Sequence, residues 1–324
     1  MRLLITGGAG FIGSNFIRYI LNKHPRYKII NLDKLTYAGN PDNLRDIEKN
    51  PRYCFVKGDI ADFDLVKRLI KSCDGVINFA AESHVDRSLL DARHFINTNV
   101  YGTYVLLRAA KENKIKRFLH IGTDEVYGSC EKGCCREERV LNPSNPYSAS
   151  KAAADLLVNS FFITYRMPVL ITRSANNYGP YQYPEKVIPL FITNALENKP
   201  VPLYGKGVNV RDWLFVLDNC AAVDLVFLKG KTGEIYNIAA GNHLSNLKLT
   251  KTILKKLDKP ESLIKFVTDR PGHDLRYSLD CRKIEALGWR QRYSFSQGLG
   301  LTIKWYKANS WWWKKLKARS LRNV

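Results

Sequence analysis

The chain has 324 residues, of which 45% are hydrophobic and 25% charged, and its formal net charge is +21. The length allows one large or two ordinary globular cores, and the longest apolar run is far short of the roughly 20 residues of a membrane span. Charge of this size implies an anionic ligand or simply a basic surface. Lys and Arg are scattered over the whole chain, which argues against a dedicated nucleic-acid face. The opening "MRLLITGGAGFIG" is broken by glycine too early to read as a secretory signal, so a cytoplasmic location is expected. Seven cysteines, an odd count, read as reduced thiols. Cys130, Cys134 and Cys135 cluster in "SCEKGCCREE". They lack a fourth ligand at zinc spacing, so no metal is expected there, only an exposed loop with free thiols.

In chain order, "RLLIT", "KIINL", "YCFVKG", "GVINFA" and "RFLHIG" are short, apolar and β-branched. Amphipathic runs such as "FIGSNFIRYILNK" and "FDLVKRLIKS" lie between most of them. Continuous apolar strands separated by helices predict an α/β fold, a doubly wound parallel (Rossmann) sheet covered on both faces. "SASKAAADLLVNSFFITY" and "PVLITRS" add another helix and strand. From about Tyr178 prolines crowd and the elements shorten. A nucleotide-binding domain over 1–177 is expected, with some return of the chain at about 208–240. Residues 178–324 are expected to build mainly a smaller mixed α/β substrate lobe. The basic tail from Trp311 to Arg322 reads as a helix whose tryptophans pack on the body, in preference to a membrane-surface or acidic-partner segment.

Gly7, Gly10 and Gly13 stand between the first strand and the first helix, with Gly8 giving a second G-x-G-x-x-G register. Glycine there lets the backbone approach a pyrophosphate at the helix N-terminus. Asp33 ends the second strand, where a carboxylate accepts from ribose hydroxyls and repels a 2′-phosphate; this selects NAD over NADP. Phe11 and Ile12 in the loop, and Lys34, Leu35 and Thr36 after Asp33, belong to the same expected contact surface. Asp59 and Ile60 after the third strand would hold the adenine edge, and Ala80 and Ala81 after the fourth leave room for the dinucleotide.

Tyr147 and Lys151 are four apart on a predicted helix and so share a face. A tyrosine has an ordinary pKa of about 10 and must drop to near neutrality to act as a base, a difference of roughly 4 kcal/mol. An ammonium about 4 Å away at an effective dielectric of about 20 would supply approximately that. Such a pair suits alcohol dehydrogenation. Thr123, Asp124 and Glu125 follow the fifth strand. They would serve either as an ordinary turn and cap or as an acid–base pair.

These segments, together with "DKLTYAGN", "FAAESHVDRS", "TDEVYG", "NNYGPYQYPEKVIPL", "YGKGVNVRDWLFVLDN", "YNIAAGN" and "DRPGHDLRYSLD", resemble the dTDP-glucose 4,6-dehydratases, extended short-chain dehydrogenases/reductases. The resemblance runs from Met1 to about Trp305. It implies oxidation of a hexose at C4, removal of the C5 proton by Glu125, donation of a proton by Asp124 to the departing C6 hydroxyl, and hydride return to C6. Thr123 would hydrogen-bond the C4 oxygen beside Tyr147. Ser83 and Thr98 would lie near cofactor and sugar, and Asn176 and Asn177 would hold the sugar diphosphate and the nicotinamide side. The nucleotide pocket would take in Glu185, Lys186, Val187, Ile188, Pro189 and Leu190. It would further take in Pro202, Leu203, Tyr204, Asn246, Asp269, Arg270, Pro271, Gly272 and His273. Arg211 is the expected diphosphate ligand, since a guanidinium fork matches phosphate oxygens; its plain reading is a surface ion pair with Asp212. His84 and His273 read as walls or hydrogen-bonded structure. The resemblance further implies a homodimer through helices at about 91–113 and 148–165. Gly122 and Ala175 stand where the family usually has Ser, and the cysteine loop and the tail after Trp305 are this chain's own. A UDP-glucose 4,6-dehydratase, a UDP-hexose 4-epimerase and a basic NAD-responsive scaffold or nucleic-acid binder are the competing readings. The adjacent Asp124 and Glu125 argue against the last two.

Overall fold

The computed structural model describes residues 1–269 and 272–320; the expectations placed on Arg270 and Pro271 lie outside these. Six strands come in the order expected: β1 (Arg2–Thr6), β2 (Lys28–Asp33), β3 (Tyr53–Lys57), β4 (Gly75–Asn78), β5 (Arg117–Thr123) and β6 (Val169–Ser174). After them come β7 (Asn176–Tyr178), β8 (Val201–Tyr204), β9 (Val210–Phe215), β10 (Ile235–Ile238), β11 (His243–Ser245) and β12 (Ile264–Val267). Among the described residues the main sheet has seven strands in the order β10-β6-β5-β4-β1-β2-β3, every neighbouring pair parallel. The order reverses between β1 and β4, and a crevice opens at the carboxyl ends there.

Apolar side chains alternate across this sheet. Leu3 and Ile5 of β1 pack with Phe16, Ile17, Val223 and Val226 from the Phe11–Lys23 and Val216–Lys229 helices. Leu4, between them, packs on the other face with Val66, Leu106 and Val158. A strand buried on both faces is mainly apolar, which is why Leu3, Leu4 and Ile5 of β1 and Val76 and Ile77 of β4 run without the polar alternation of a half-exposed strand. Each such side chain contributes about 1.5–3 kcal/mol of transfer free energy. The chain returns to this sheet through the Val216–Lys229 helix and β10, whereas β9 belongs to a smaller sheet, β11-β9-β7. β8 and β12 pair separately.

A third core, built from Tyr178, Trp213, Leu249, Leu299 and Trp312 among others, fills the smaller lobe. The C-terminal helix, Ser310–Ser320, belongs to it: Trp312 and Trp313 are buried, while Trp311 is half exposed beneath Arg45. No helix among the described residues is long and apolar enough to cross a membrane. The cysteine loop departs from expectation. Cys134 is exposed, but Cys130 and Cys135 are buried. Their backbone amides donate to Arg276 and Ser278, which ties the loop to the 276–280 segment. Among the described residues no group of three or more His, Cys, Asp or Glu is placed to hold a metal ion.

Candidate active site

Backbone geometry explains the glycine loop. Gly7 has a positive φ of 69°, and a Cβ there would lie 2.5 Å from the Ala80 amide nitrogen. A Cβ on Gly13 would lie 2.4 Å from the Gly7 carbonyl oxygen. Packing therefore demands both. Gly10 differs, because a Cβ there would meet only the Gly7 oxygen, at 3.2 Å. Its side faces the crevice, so the demand for glycine comes from whatever approaches there. Asp33 accepts from Ala9 N at 2.9 Å and from Leu35 N at 2.8 Å. Burial pushes its carboxyl up, and these two amides hold it back. The crevice wall takes in Gly7, Gly10, Phe11, Ile12, Gly13, Asp33, Lys34, Thr36, Asp59, Ile60, Ala80, Ala81, Ser83, Thr98, Tyr147 and Lys151. Leu35 and Asn177 are not on that wall, although wall residue Gln182 donates to the Asn177 carbonyl at 2.9 Å. Lys34 closes onto Asp59 at 2.6 Å. A shaped, glycine-floored groove with a carboxylate at one end and Tyr147 and Lys151 at the other fits a dinucleotide.

The chemical end is built by two elements. A capping box at Asn145 and Ser148, with Pro146 at the first position, starts the Pro146–Tyr165 helix. This puts Tyr147 in the first turn and Lys151 one turn deeper. β5 ends at Thr123, whose hydroxyl accepts from the Glu125 amide at 3.3 Å and caps a short 3₁₀ turn, Asp124–Tyr127. The capping reading of this stretch is thus realised. Asp124 is 3% exposed and its Oδ2 has no hydrogen-bond partner. Burial raises its pKa well above the usual carboxylate range and the neighbouring Glu125 raises it further, against the opposing charge of Arg211. Both effects favour the protonated form of Asp124.

Tyr147 and Lys151 behave differently from the sequence expectation. Burial and then the Glu125 charge raise the Tyr147 phenol above its ordinary value, with Thr123 acting the other way. Lys151 donates from Nζ to the Ile121 carbonyl at 2.6 Å, and burial lowers its pKa to about 8. One ammonium N–H is thus held by a backbone oxygen, and burial works against the charge that would lower the phenol.

Beneath this pair lies a buried network that the sequence reading did not single out. His120 approaches Asn78 at 3.3 Å, Lys151 Nζ at 3.5 Å and Asp155 at 3.7 Å. Burial, then Lys151 and Arg173, drive its pKa well below the ordinary value, so it is neutral. Arg173 binds Asp155 at 2.8 Å and the Tyr127 hydroxyl at 2.8 Å. It links the floor of the Tyr147 helix to the turn that carries Asp124 and Glu125. The signal was present: an ionisable residue inside an apolar strand, and Asp155 one turn beyond Lys151 on the same face.

The predicted nucleotide-pocket residues are only partly brought together. Arg211 is buried, not paired with Asp212. It donates to the Asp274 carbonyl at 2.9 Å and the Val210 carbonyl at 2.8 Å, and lies over the Tyr277 ring. Asp212 instead accepts from the amides of Gly241 and Asn242. Consecutive residues of a strand face opposite sides, which rules out the ion pair. Asn176 and Asn177 each hold a buried, unpartnered Oδ1. Glu185 receives Arg87 at 3.4 Å, and Lys186 lies on the crevice wall with Nζ on the Ser83 carbonyl. Along the next helix, Val187 and Leu190 are partly buried, but Ile188 and Pro189 are buried, Ile188 inside the lobe core. In β8, Pro202 and Tyr204 face out while Leu203 points into that core. Asn246 is half-buried at the start of its helix, and Gly272 is exposed. Asp269 pairs with His273 at 2.7 Å, and His84 caps its own helix. Asp274, which the motif reading passed over, accepts from Ser144 at 2.6 Å and Tyr277 at 2.7 Å. It fastens this loop to the start of the Tyr147 helix.

Known proteins share this arrangement. The family described as GDP-mannose 4,6 dehydratase matches residues 4–302. The low-salt glycan biosynthesis protein Agl12 of Haloferax volcanii is 52% identical over 94% of this chain and 98% of its own. A dTDP-glucose 4,6-dehydratase of Streptomyces niveus is 49% identical over 98% of this chain and 96% of its own. A crystal structure of DesIV, a dTDP-glucose 4,6-dehydratase from Streptomyces venezuelae with NAD and TYD bound, is 50% identical. It superposes with a TM-score of 0.96 over 98% of this chain and 100% of its own. With a doubly wound sheet, a glycine-floored crevice and an Asp–Glu pair facing a Tyr–Lys pair, this chain belongs to the dTDP-glucose 4,6-dehydratase family of NAD-dependent extended short-chain dehydrogenases/reductases.

Proposed function

We propose that the chain converts dTDP-glucose to dTDP-4-keto-6-deoxy-glucose with loss of water, for deoxysugar biosynthesis of the rhamnose type. The observation that carries this reading is a buried Asp124 beside Glu125, its carboxyl pushed up by burial and by that neighbour, with both close enough to raise the Tyr147 phenol. NAD bound in the crevice would accept hydride from C4 and give it back to C6. Tyr147 takes the C4 hydroxyl proton, with Thr123 beside it. The C4 ketone makes the C5 hydrogen acidic, and Glu125 removes it. Asp124 gives its proton to the C6 hydroxyl, which leaves as water, and C5 is reprotonated from Glu125. Two adjacent carboxyls suit this because the charge on one keeps the proton on the other. A 4-epimerase needs no such acid.

Residues 1–177, with the chain returning at about 208–240, form the cofactor half in this reading, and 178–324 mainly the sugar-nucleotide half. Arg211 and, among the described residues, Asp269 and His273 hold the diphosphate and nucleoside side in this reading. The chain acts in the cytoplasm as a homodimer. Seven free cysteines support the compartment. An apolar face left open on two neighbouring helices supports the dimer: Ile96, Tyr101 and Tyr104 on one, Leu156, Ile163 and Tyr165 on the other, all more than a third exposed. Incubation with dTDP-glucose and, separately, UDP-glucose tests the function, with the product read by mass. The expected outcome is loss of one water from the thymidine substrate at a higher kcat/KM. An epimer of unchanged mass would refute it. A preference for UDP-glucose would move the assignment to the uridine enzyme, a distinction of one methyl group worth only about 1–3 kcal/mol.

A further inference from the structure

The C-terminal helix lies beyond residue 302, where the family match ends, yet it reaches the cofactor crevice. Trp312 and Asn43 are both on the crevice wall, beside Gly10 and Phe11. Trp312 is 1% exposed, and its indole N–H donates to the Asn43 side-chain oxygen at 2.8 Å. The Asn43 amide in turn donates to the carbonyl of Ala9, inside the glycine loop, at 2.8 Å. The same carbonyl accepts from the Asn40 amide at 3.0 Å, and Ala9 N reaches Asp33. Asn43 thus has one side-chain atom on the C-terminal helix and the other on the phosphate-binding loop. On the outer side, Lys315 pairs with Asp42 at 2.6 Å, so the helix grips the 3₁₀ turn Pro41–Leu44 from two directions.

We propose that Trp312 is a positioning residue for the cofactor: through Asn43 it holds the glycine loop in its binding form and covers one edge of the crevice, which slows release of NAD. The role matters because a hydride that leaves C4 must return to the same sugar, and a cofactor lost in mid-cycle ends the reaction. The binding argument itself needs only the NAD site, so it stands apart from the identity of the sugar.

The decisive comparison is Trp312→Phe against Trp313→Phe. Both indoles are buried on one helix, and the Trp313 N–H donates to the Tyr306 carbonyl at 2.8 Å, away from the loop. NAD release is followed from the holoprotein after dilution into excess labelled NAD, with no sugar present, and the thermal midpoint is taken alongside. Loss of one neutral hydrogen bond corresponds to about a five-fold change. Trp312→Phe is expected to release NAD about five-fold faster, and Trp313→Phe at the unaltered rate even if its midpoint falls. Asn43→Leu removes both the acceptor for the indole and the donor to Ala9 without adding charge. It is expected to match Trp312→Phe, and the double variant to be no worse than either single one, because all three break the same chain. Should Trp312→Phe fail to fold, Asn43→Leu alone decides. Unchanged NAD release, equal acceleration in Trp313→Phe, or additive effects in the double variant would overturn the proposal. Failure to dehydrate dTDP-glucose with these release rates intact would instead count against the sugar assignment.

Discussion

Replacing Asp124 by Asn should separate the two halves of the reaction. The substitution keeps the shape and removes the transferable proton that burial and Glu125 favour on Asp124. Loss of a general acid slows its step by about 10²–10⁴-fold. Oxidation at C4 depends on Tyr147 and precedes that step. Asp124→Asn given dTDP-glucose should therefore reduce its bound NAD and stay reduced, with the near-ultraviolet absorbance of NADH rising and persisting. Tyr147→Phe should give no such signal.

Stability supplies an independent reading of the same residue. The folded-state pKa of Asp124 is raised, so the unfolded chain releases this proton first as pH rises. The residue's contribution is complete below the unfolded carboxyl value of about 4 and is lost with rising pH until the folded pKa is reached. Asn has no such dependence. Asp124→Asn should match the unaltered protein near pH 4 and become the more stable of the two by about 1.4 kcal/mol per pH unit above it, until Asp124 ionises in place. Denaturant midpoints across pH 4–7 check this. A variant that is less stable at every pH, or a Tyr147→Phe protein that accumulates NADH as readily as Asp124→Asn, would refute the assignment of Asp124 as an acid acting after oxidation.

Gly10→Ala should fold with nearly unchanged thermal stability yet bind NAD at least ten-fold more weakly, since its Cβ would meet only the Gly7 oxygen at 3.2 Å and otherwise stand where the pyrophosphate approaches. Gly13→Ala, with a Cβ 2.4 Å from that backbone oxygen, should lose stability as well, and calorimetry with and without NAD distinguishes the two. Lys151, lowered to about 8 by burial, binds fewer protons folded than unfolded between pH 8 and the ordinary lysine value of about 10.4. Its cost to stability is therefore full below pH 8 and disappears across that window, so any gain from Lys151→Met at pH 7 should shrink by pH 10 in denaturant titrations. Leu156→Glu with Ile163→Glu should convert a dimer to monomers at micromolar concentration in light scattering; a mass already monomeric before substitution would remove the dimer proposal. Binding to DNA should be weak and fall steeply with salt, since the Lys and Arg residues form no base-reading module, and sequence-specific retention at physiological salt would contradict that reading.

Local chemistry made most of the fold legible. Strands such as "RLLIT" are apolar on both faces because both faces are covered, and the glycine loop had to be glycine because Gly7 and Gly13 have backbone atoms within 3 Å of any Cβ. Tyr147 and Lys151 were legible for the same reason, since four-residue spacing on one helix puts both on the crevice wall, and the strand end places Asp124 and Glu125 near enough to raise the Tyr147 phenol. What spacing cannot carry is the partner each group meets. Lys151 was expected to act on Tyr147, and which backbone oxygen it would also meet, the carbonyl of Ile121, was not legible. Arg211 was weighed against an ion pair with its neighbour Asp212, but strand alternation sends the two apart, Arg211 to the 274–277 loop. Cys130 and Cys135 look like loop thiols until residues more than 140 positions away close over them. The same holds for Trp312, whose hydrogen bond to Asn43 spans 269 positions. Contacts of that kind depend on how two lobes pack, and their loop-closure entropy is met only by the finished fold. It follows that residues bearing on a shared site from far along the chain are found by tracing hydrogen bonds back to it, as from Trp312 through Asn43 to Ala9.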